Sequence, residues 1–190
     1  MNKEHIKQVQ ERIGTYPDGR WGSKSQTALQ KHLQKLLPNP YPFPKSYKEM
    51  FTFYGEPGTP EVPCKGLTRI NTSHLRLVYG TSRVSSVQCH EKIASSLLGF
   101  LTELNDSEFG YVLGEYGGCY NPRKVRGGSN FSDHAWGAAI DLCPTKNKLR
   151  WHWPMQAHMP LEVYEIAARW GATSLGWTGN YDAMHITWRR

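Results

Sequence analysis

The chain has 190 residues, a formal charge of +7, and 38% hydrophobic and 12% aromatic side chains. That length suits one good core, or one catalytic domain with a small appendage, and the composition is that of an ordinary soluble globular protein. No apolar run approaches the roughly 20 residues of a membrane span, so stable membrane insertion is not expected. The Lys and Arg residues are scattered and form no stripe interleaved with aromatics, which argues against nucleic acid as a partner and for diffuse attraction to an anionic polymer. The N-terminal stretch MNKEHIKQVQERIG lacks the apolar region of a secretory signal, so synthesis in the cytoplasm is expected. Cys64, Cys89, Cys119 and Cys143 are too sparse for a disulfide scaffold and are expected as buried free thiols.

Residues 4–37 read as two helices. Ile6, Val9, Gln10 and Ile13 follow helical spacing, and Tyr16-Pro17-Asp18-Gly19 marks a turn. A second helix starts near Ser23 with Ala28, Leu29, Leu33, Leu36 and Leu37 as its apolar stripe, and Pro38 and Pro40 end it. Residues 39–62, rich in Pro, Gly and aromatics, read as a semi-rigid linker lying against a domain through Phe43, Tyr47, Phe51 and Phe53. Its second half is open to assignment to the domain that follows.

From Pro63 onward strands and helices mix. A short strand is expected at Leu67–Ile70, a helix from Val87 to Leu104, and strands at Glu108–Tyr116 and Ala138–Cys143. A helix from Leu161 to Trp170 stops at Gly171, and a last strand covers Met184 to Trp188. This irregular order predicts an α+β fold, not alternating βα units. The segment Thr145–Pro160 fits no element, and its Trp and His content suits either a cleft lid or a packed loop. Trp136 and Trp177 are expected near substrate.

Two segments near the C-terminus carry the chemistry. Ser132–Asp141 (SDHAWGAAID) and Asp182–Trp188 (DAMHITW) offer His134, Asp141 and His185 as ligands for a divalent metal. Two His and one carboxylate leave a fourth position of a tetrahedral zinc ion open to water, and Asp182 is a spare acid able to take that water's proton. The spacing is not the helical HExxH pattern, so the site must be assembled from strands and loops. In the last strand, alternation sends Met184, Ile186 and Trp188 to the core and leaves His185 and Thr187 on the open face. His134 and Asp141 are an odd number of residues apart, so a straight strand would point them to opposite faces. His134 is therefore expected on a loop or after a bend, with Gly137 allowing it. Taken without the motif, Asp182 also suits a turn after Gly179-Asn180.

The string SDHAWGAAID resembles the SxHxxGxAxD motif of the M15 (VanY-like) zinc peptidases, which share the hedgehog/DD-peptidase fold, and DAMHITW resembles that family's closing segment. The resemblance implies one Zn2+ per chain held by His134, Asp141 and His185, with Asp182 as the catalytic acid and base. It also implies an Arg that stabilises the oxyanion, Arg123 with Arg126 as the alternative, and Ser132 as the residue orienting His134. Separately, VQERIG…PDGRWGSKSQTALQKHLQ resembles the peptidoglycan-binding type 1 module. Together the two resemblances imply a wall-binding helical module at 1–38, a linker at 39–62 and a zinc peptidase domain at 63–190. The implied protein is a monomeric phage-type endolysin acting on bacterial peptidoglycan after holin-assisted release. An L-alanyl-D-glutamate endopeptidase is the favoured activity. The alternatives are a D-alanyl-D-alanine carboxypeptidase and a catalytically silent metal-binding module.

Overall fold

Helical spacing of apolar side chains accounts for the first two elements of the computed structural model, which describes residues 3–177 and 182–190. They are α1 (Lys3–Arg12) and α2 (Ser23–Gln34), with Ile6, Val9, Leu29 and Leu33 buried. Past α1, Gly14 takes a left-handed φ of 73° and the Thr15 N–H reaches back to the Gln10 carbonyl at 2.8 Å, the wrap that closes a helix at a glycine. The turn that follows is organised by the buried Gln10 amide. Its Nε2 lies 2.9, 2.9 and 3.1 Å from Asp18 Oδ1, the Arg20 carbonyl and Ser25 Oγ. Its Oε1 accepts from the Gly19 N–H at 2.9 Å.

The Pro-rich stretch that follows contains a helix, α3 (Tyr47–Tyr54). Ser46 accepts from the Glu49 N–H, and Glu49 in return accepts from the Lys45 N–H at 2.9 Å, a close variant of the capping box. Met50 and Tyr54 fill the core, and the Tyr54 hydroxyl donates to the Trp188 carbonyl at 2.8 Å. Chain then runs through β1 (Leu67–Asn71), a small hairpin of β2 (Val78–Tyr79) and β3 (Ser82–Arg83), β4 (Ser86–His90) and α4 (Glu91–Asp106). The helix expected from Val87 therefore begins later. Val87 and Cys89 alternate inward as a strand paired antiparallel to β1, and His90 caps the helix by accepting from the Lys92 N–H. The strand expected at Glu108–Tyr116 is likewise corrected. Gly110–Gly114 forms a 3-10 turn that buries Val112 and Leu113, and only Tyr116–Gly118 extends, as β5.

The remaining strands are β6 (Ala139–Leu142), β7 (Thr173–Ser174) and β8 (His185–Thr187), with α5 (Leu161–Arg169) between β6 and β7. They form an antiparallel sheet in the order β5-β6-β8-β7. Ile140 and Ile186 face each other across the ladder and are wholly buried. Trp188 continues that core: its indole N–H donates to Ser96 of α4 at 2.6 Å and its ring meets Phe100 edge-on. At the end of α5, Gly171 takes φ 76°, as its place after the helix predicts. The result is a mixed fold of five α-helices and small antiparallel sheets among the described residues.

The N-terminal helices rest on α5. Glu165 of α5 pairs with Arg12 at 2.9 Å and with His32 at 2.7 Å, while Gln26 donates to the Trp177 carbonyl. The segment 145–160 contributes Trp153, which is buried edge-on against both Trp21 and Tyr164 and donates to the Met159 carbonyl. This part of it is a packed loop. All four cysteines are free and buried, as composition suggests. Among the described residues no helix is long and apolar enough to cross a membrane.

Candidate metal centre

Strand register brings the first two donors together. Asp141 of β6 and His185 of β8 are direct partners across the ladder, so their side chains share one face. His134 arrives from a 3-10 turn at Asp133–Trp136, closed by Gly137 in the left-handed conformation at φ 65°. A side chain at Gly137 would also crowd the backbone of Cys89 and His90, so both conformation and space require glycine here. This is the bend that the odd separation of His134 and Asp141 demands.

His134 Nε2 lies 3.1 Å from His185 Nδ1, and Asp141 Oδ1 lies 3.2 Å from each nitrogen. Two imidazole nitrogens and a carboxylate oxygen facing one another need a cation or a proton between them. Ligands 2.0–2.1 Å from a tetrahedral zinc ion stand about 3.3 Å apart, so the spacing and the donor types both fit that ion. The far nitrogen of His134, Nδ1, is bonded to the Cys119 carbonyl at 2.6 Å. That carbonyl, and not Ser132, orients the ring; Ser132 lines the cavity. On β5, Gly117 sits so close to Asp141 that a Cβ there would stand 2.8 Å from the Asp141 Cβ.

Behind His185 lies a residue that sequence reasoning passed over. Asp133 is buried and accepts from Thr187 Oγ1 at 2.7 Å and Arg189 Nε at 3.1 Å. The same Oδ2 is 3.9 Å from His185 Nε2, an ionic contact rather than a hydrogen bond. Burial alone would raise the Asp133 and Asp141 carboxyls. The imidazoles, with Arg189 beside Asp133, outweigh it and hold both below the usual carboxylate range. Burial would likewise lower His185, but the two flanking carboxylates push it up to about 10. A pocket that attracts a proton this strongly presents the same field to a divalent cation, whose binding displaces that proton. The signal for Asp133 was the Thr187 position, on the face of His185.

Asp182 lines the same cavity, of about 390 Å³, as the three donors. Its Oδ1 is buried without a hydrogen-bond partner among the described residues. Burial, then the Asp141 charge, raises its carboxyl to about 6 against the pull of His185, His134 and Arg123. Its alternative reading, a turn after Gly179-Asn180, involves positions outside the described residues. Arg123 and Arg126 both line the cavity. Arg123 stands at the root of the 124–131 loop, where its N–H donates to Asn121 and its carbonyl accepts from Ser132; Arg126 is exposed nearer the Gly127 tip.

Three expectations are corrected. Trp136 is fully buried against Tyr47, Phe51 and Phe131, with its indole N–H on the Gly55 carbonyl. Trp177 is 4% exposed and lines neither the metal cavity nor its neighbour. Met184, expected in the core, is half-buried at the cavity wall, just before β8 begins at His185.

Residues 126–188, one third of the chain, match the family model Peptidase_M15_4, described as D-alanyl-D-alanine carboxypeptidase. The matched span contains His134, Asp141, Asp182 and His185 and excludes Arg123. The segment carrying the centre is thus similar to a peptidase family, and its His-Asp-His cluster is able to hold a metal ion. No curated protein and no solved structure matches the chain significantly.

Proposed function

We propose that the protein is a zinc-dependent peptidase of peptidoglycan stem peptides, an endolysin cutting the L-Ala–D-Glu bond. The observation that carries this reading is the trio of donors 3.1–3.2 Å apart in a cavity that also holds the acid Asp182, whose buried Oδ1 has no hydrogen-bond partner among the described residues. His134, Asp141 and His185 would hold the ion. When bound, a divalent ion supplies Lewis-acid polarisation of a carbonyl and acidifies a water molecule. Asp182 accepts a proton from the attacking water as its oxygen bonds to the scissile carbonyl carbon. It then delivers that proton to the leaving amine as the C–N bond breaks. Arg123 steadies the oxyanion that forms between those events. Asp133 and the Cys119 carbonyl keep the two imidazoles aimed.

An endopeptidase needs room on both sides of the scissile bond. In support, a second cavity adjoins the first across Asp141, Arg126, Leu149 and Met184. Residues 1–38 are proposed as the wall-binding unit, 39–62 as the connecting segment and 63–190 as the peptidase domain. Release to the wall is proposed to be holin-assisted. A second reading, a D-alanyl-D-alanine carboxypeptidase, is favoured by the description of the matching family model.

Digestion of purified peptidoglycan by wild type and Asp182→Ala, with and without chelator, separates the readings by mass spectrometry. New N-terminal D-Glu from metal-loaded wild type alone supports the endopeptidase. Loss of terminal D-Ala instead establishes the carboxypeptidase. No cleavage by a folded, metal-loaded protein rejects both.

A further inference from the structure

The two adjoining cavities differ in chemistry. The metal cavity alone has His134, His185, Arg123 and Arg189, whereas the second, about 590 Å³, shares Asp141 and Arg126 with it and adds Tyr79, Glu115, Tyr116, Thr145 and Lys148. Because β5 lies beside β6 in the sheet, the second cavity sits over the β5 side of Asp141, and the metal cavity over β6 and β8. The β2–β3 hairpin holds Tyr79 at its rim, 62% exposed, edge-on to Tyr116 at 6.3 Å. The Glu115 carboxylate is fixed by the Thr145 hydroxyl and N–H, and Gly80 and Gly114, with open space where a side chain would stand, leave backbone bare along the same cavity. Two exposed apolar side chains also line the second cavity, Tyr79 and Leu149.

An open aromatic face beside fixed acceptors, an ammonium donor and bare backbone suits a ligand with apolar C–H faces and a rim of hydroxyl and amide groups. That is a saccharide. We propose that the second cavity is a subsite for the N-acetylmuramoyl sugar that carries the stem peptide, an inference that rests on the L-Ala–D-Glu reading. In that reading only L-Ala and the lactyl group separate the scissile bond from the sugar. One residue spans about 3.5 Å, so the sugar falls in the cavity next to the metal centre. Cleavage between terminal D-alanines would put the sugar four residues away, about 14 Å, and beyond it. Charge agrees with this direction, because Arg123 and Arg189 border the metal cavity and not the second one, and Arg126 stands where the two meet, so the carboxylates of D-Glu and the following residue would lie on the metal side.

The test has two arms. The disaccharide N-acetylglucosaminyl-N-acetylmuramic acid, amidated at its lactyl carboxyl, is titrated by calorimetry into metal-loaded wild type and Tyr79→Ala. Disaccharide-linked stem peptide and the same peptide N-acetylated without sugar are then compared as substrates. The expected results are binding weakened at least tenfold by Tyr79→Ala, and a wild-type kcat/KM at least tenfold higher with the sugar. That ratio should fall toward one in the variant. Absence of disaccharide binding to wild type, or equal binding by both proteins, overturns the proposal. Tyr79-dependent binding with no cleavage of either peptide at L-Ala–D-Glu supports a saccharide site while rejecting the endopeptidase. Because Tyr79 is exposed on a two-residue strand, the variant is expected to keep its fold, which an unchanged thermal midpoint checks.

Discussion

Polar groups are handled in opposite ways at the N-terminal helix pair and at the metal centre. Gln10 is 2% exposed, and both ends of its amide are bonded to the turn it closes. At the centre, three donor atoms converge on one point and Asp182 Oδ1 is buried without a partner among the described residues. Buried polar groups are normally satisfied, and a group left unsatisfied carries a cost that the rest of the fold must offset. The first arrangement makes a turn stable. The second holds groups ready for something that arrives from outside.

The largest break in this contrast is expected from Asp182→Asn. Loss of the acid-base group should lower stem-peptide turnover by about 100- to 10,000-fold. The thermal midpoint at neutral pH should not fall and is expected to rise. A carboxyl raised to about 6 by burial is destabilised in its charged form, so removing the charge relieves the fold. A base must be unprotonated, so wild-type activity should climb through pH values at or below about 6, a bound ion moving the midpoint down. That limb should vanish in the residual activity of the variant.

Gln10→Ala should show the converse. It leaves the Gly19 N–H without its acceptor and loosens the turn, at a cost of about 2–3 kcal/mol in urea unfolding, with turnover of a soluble muropeptide unchanged. Gly117→Ala sharpens the comparison inside the site. A Cβ placed 2.8 Å from Asp141 must displace that ligand, so zinc affinity, read by competition with a chromophoric chelator, should fall about tenfold or more while the fold survives.

The smallest effect is expected from Glu165→Gln, at about 1 kcal/mol or less because Arg12 is more than half exposed. Burial would raise the Glu165 carboxyl, but Arg12 and His32 hold it below its ordinary value. Its contribution is therefore complete above the unfolded pKa, about 4.3, and is lost as pH falls through the folded one. Below that range, wild type and variant should converge in thermal midpoint.

The donor set was legible in the sequence because each piece is local. Alternation in Met184–Trp188 puts His185 and Thr187 on one face, and an odd separation forces a bend before Asp141 that Gly137 supplies. What was hidden depends on distant chain. The role of Asp133 appears only when β8 pairs with β6 and brings Thr187 and Arg189 over it. Trp136 looked like a cleft residue within its motif, yet Tyr47 and Phe51 of α3 enclose it. The boundary at His90 was obscured because the alternating Val87 and Cys89 run directly into helical Ile93 and Leu97. The helix α3 had a readable start in Ser46-x-x-Glu49, overshadowed by the surrounding prolines.

The buried cysteines bear on where such a chain can work. Burial pushes the thiols of Cys64 and Cys89 up to about 11 and 12 and raises Cys119 and Cys143 as well. Thiolate is the reactive form, and at neutral pH these side chains hold little of it. Oxidants and disulfide exchange therefore find few targets, and no crosslink is needed to complete the core. These four side chains stay as protonated thiols at neutral pH, and a change of redox surroundings meets little thiolate to act on.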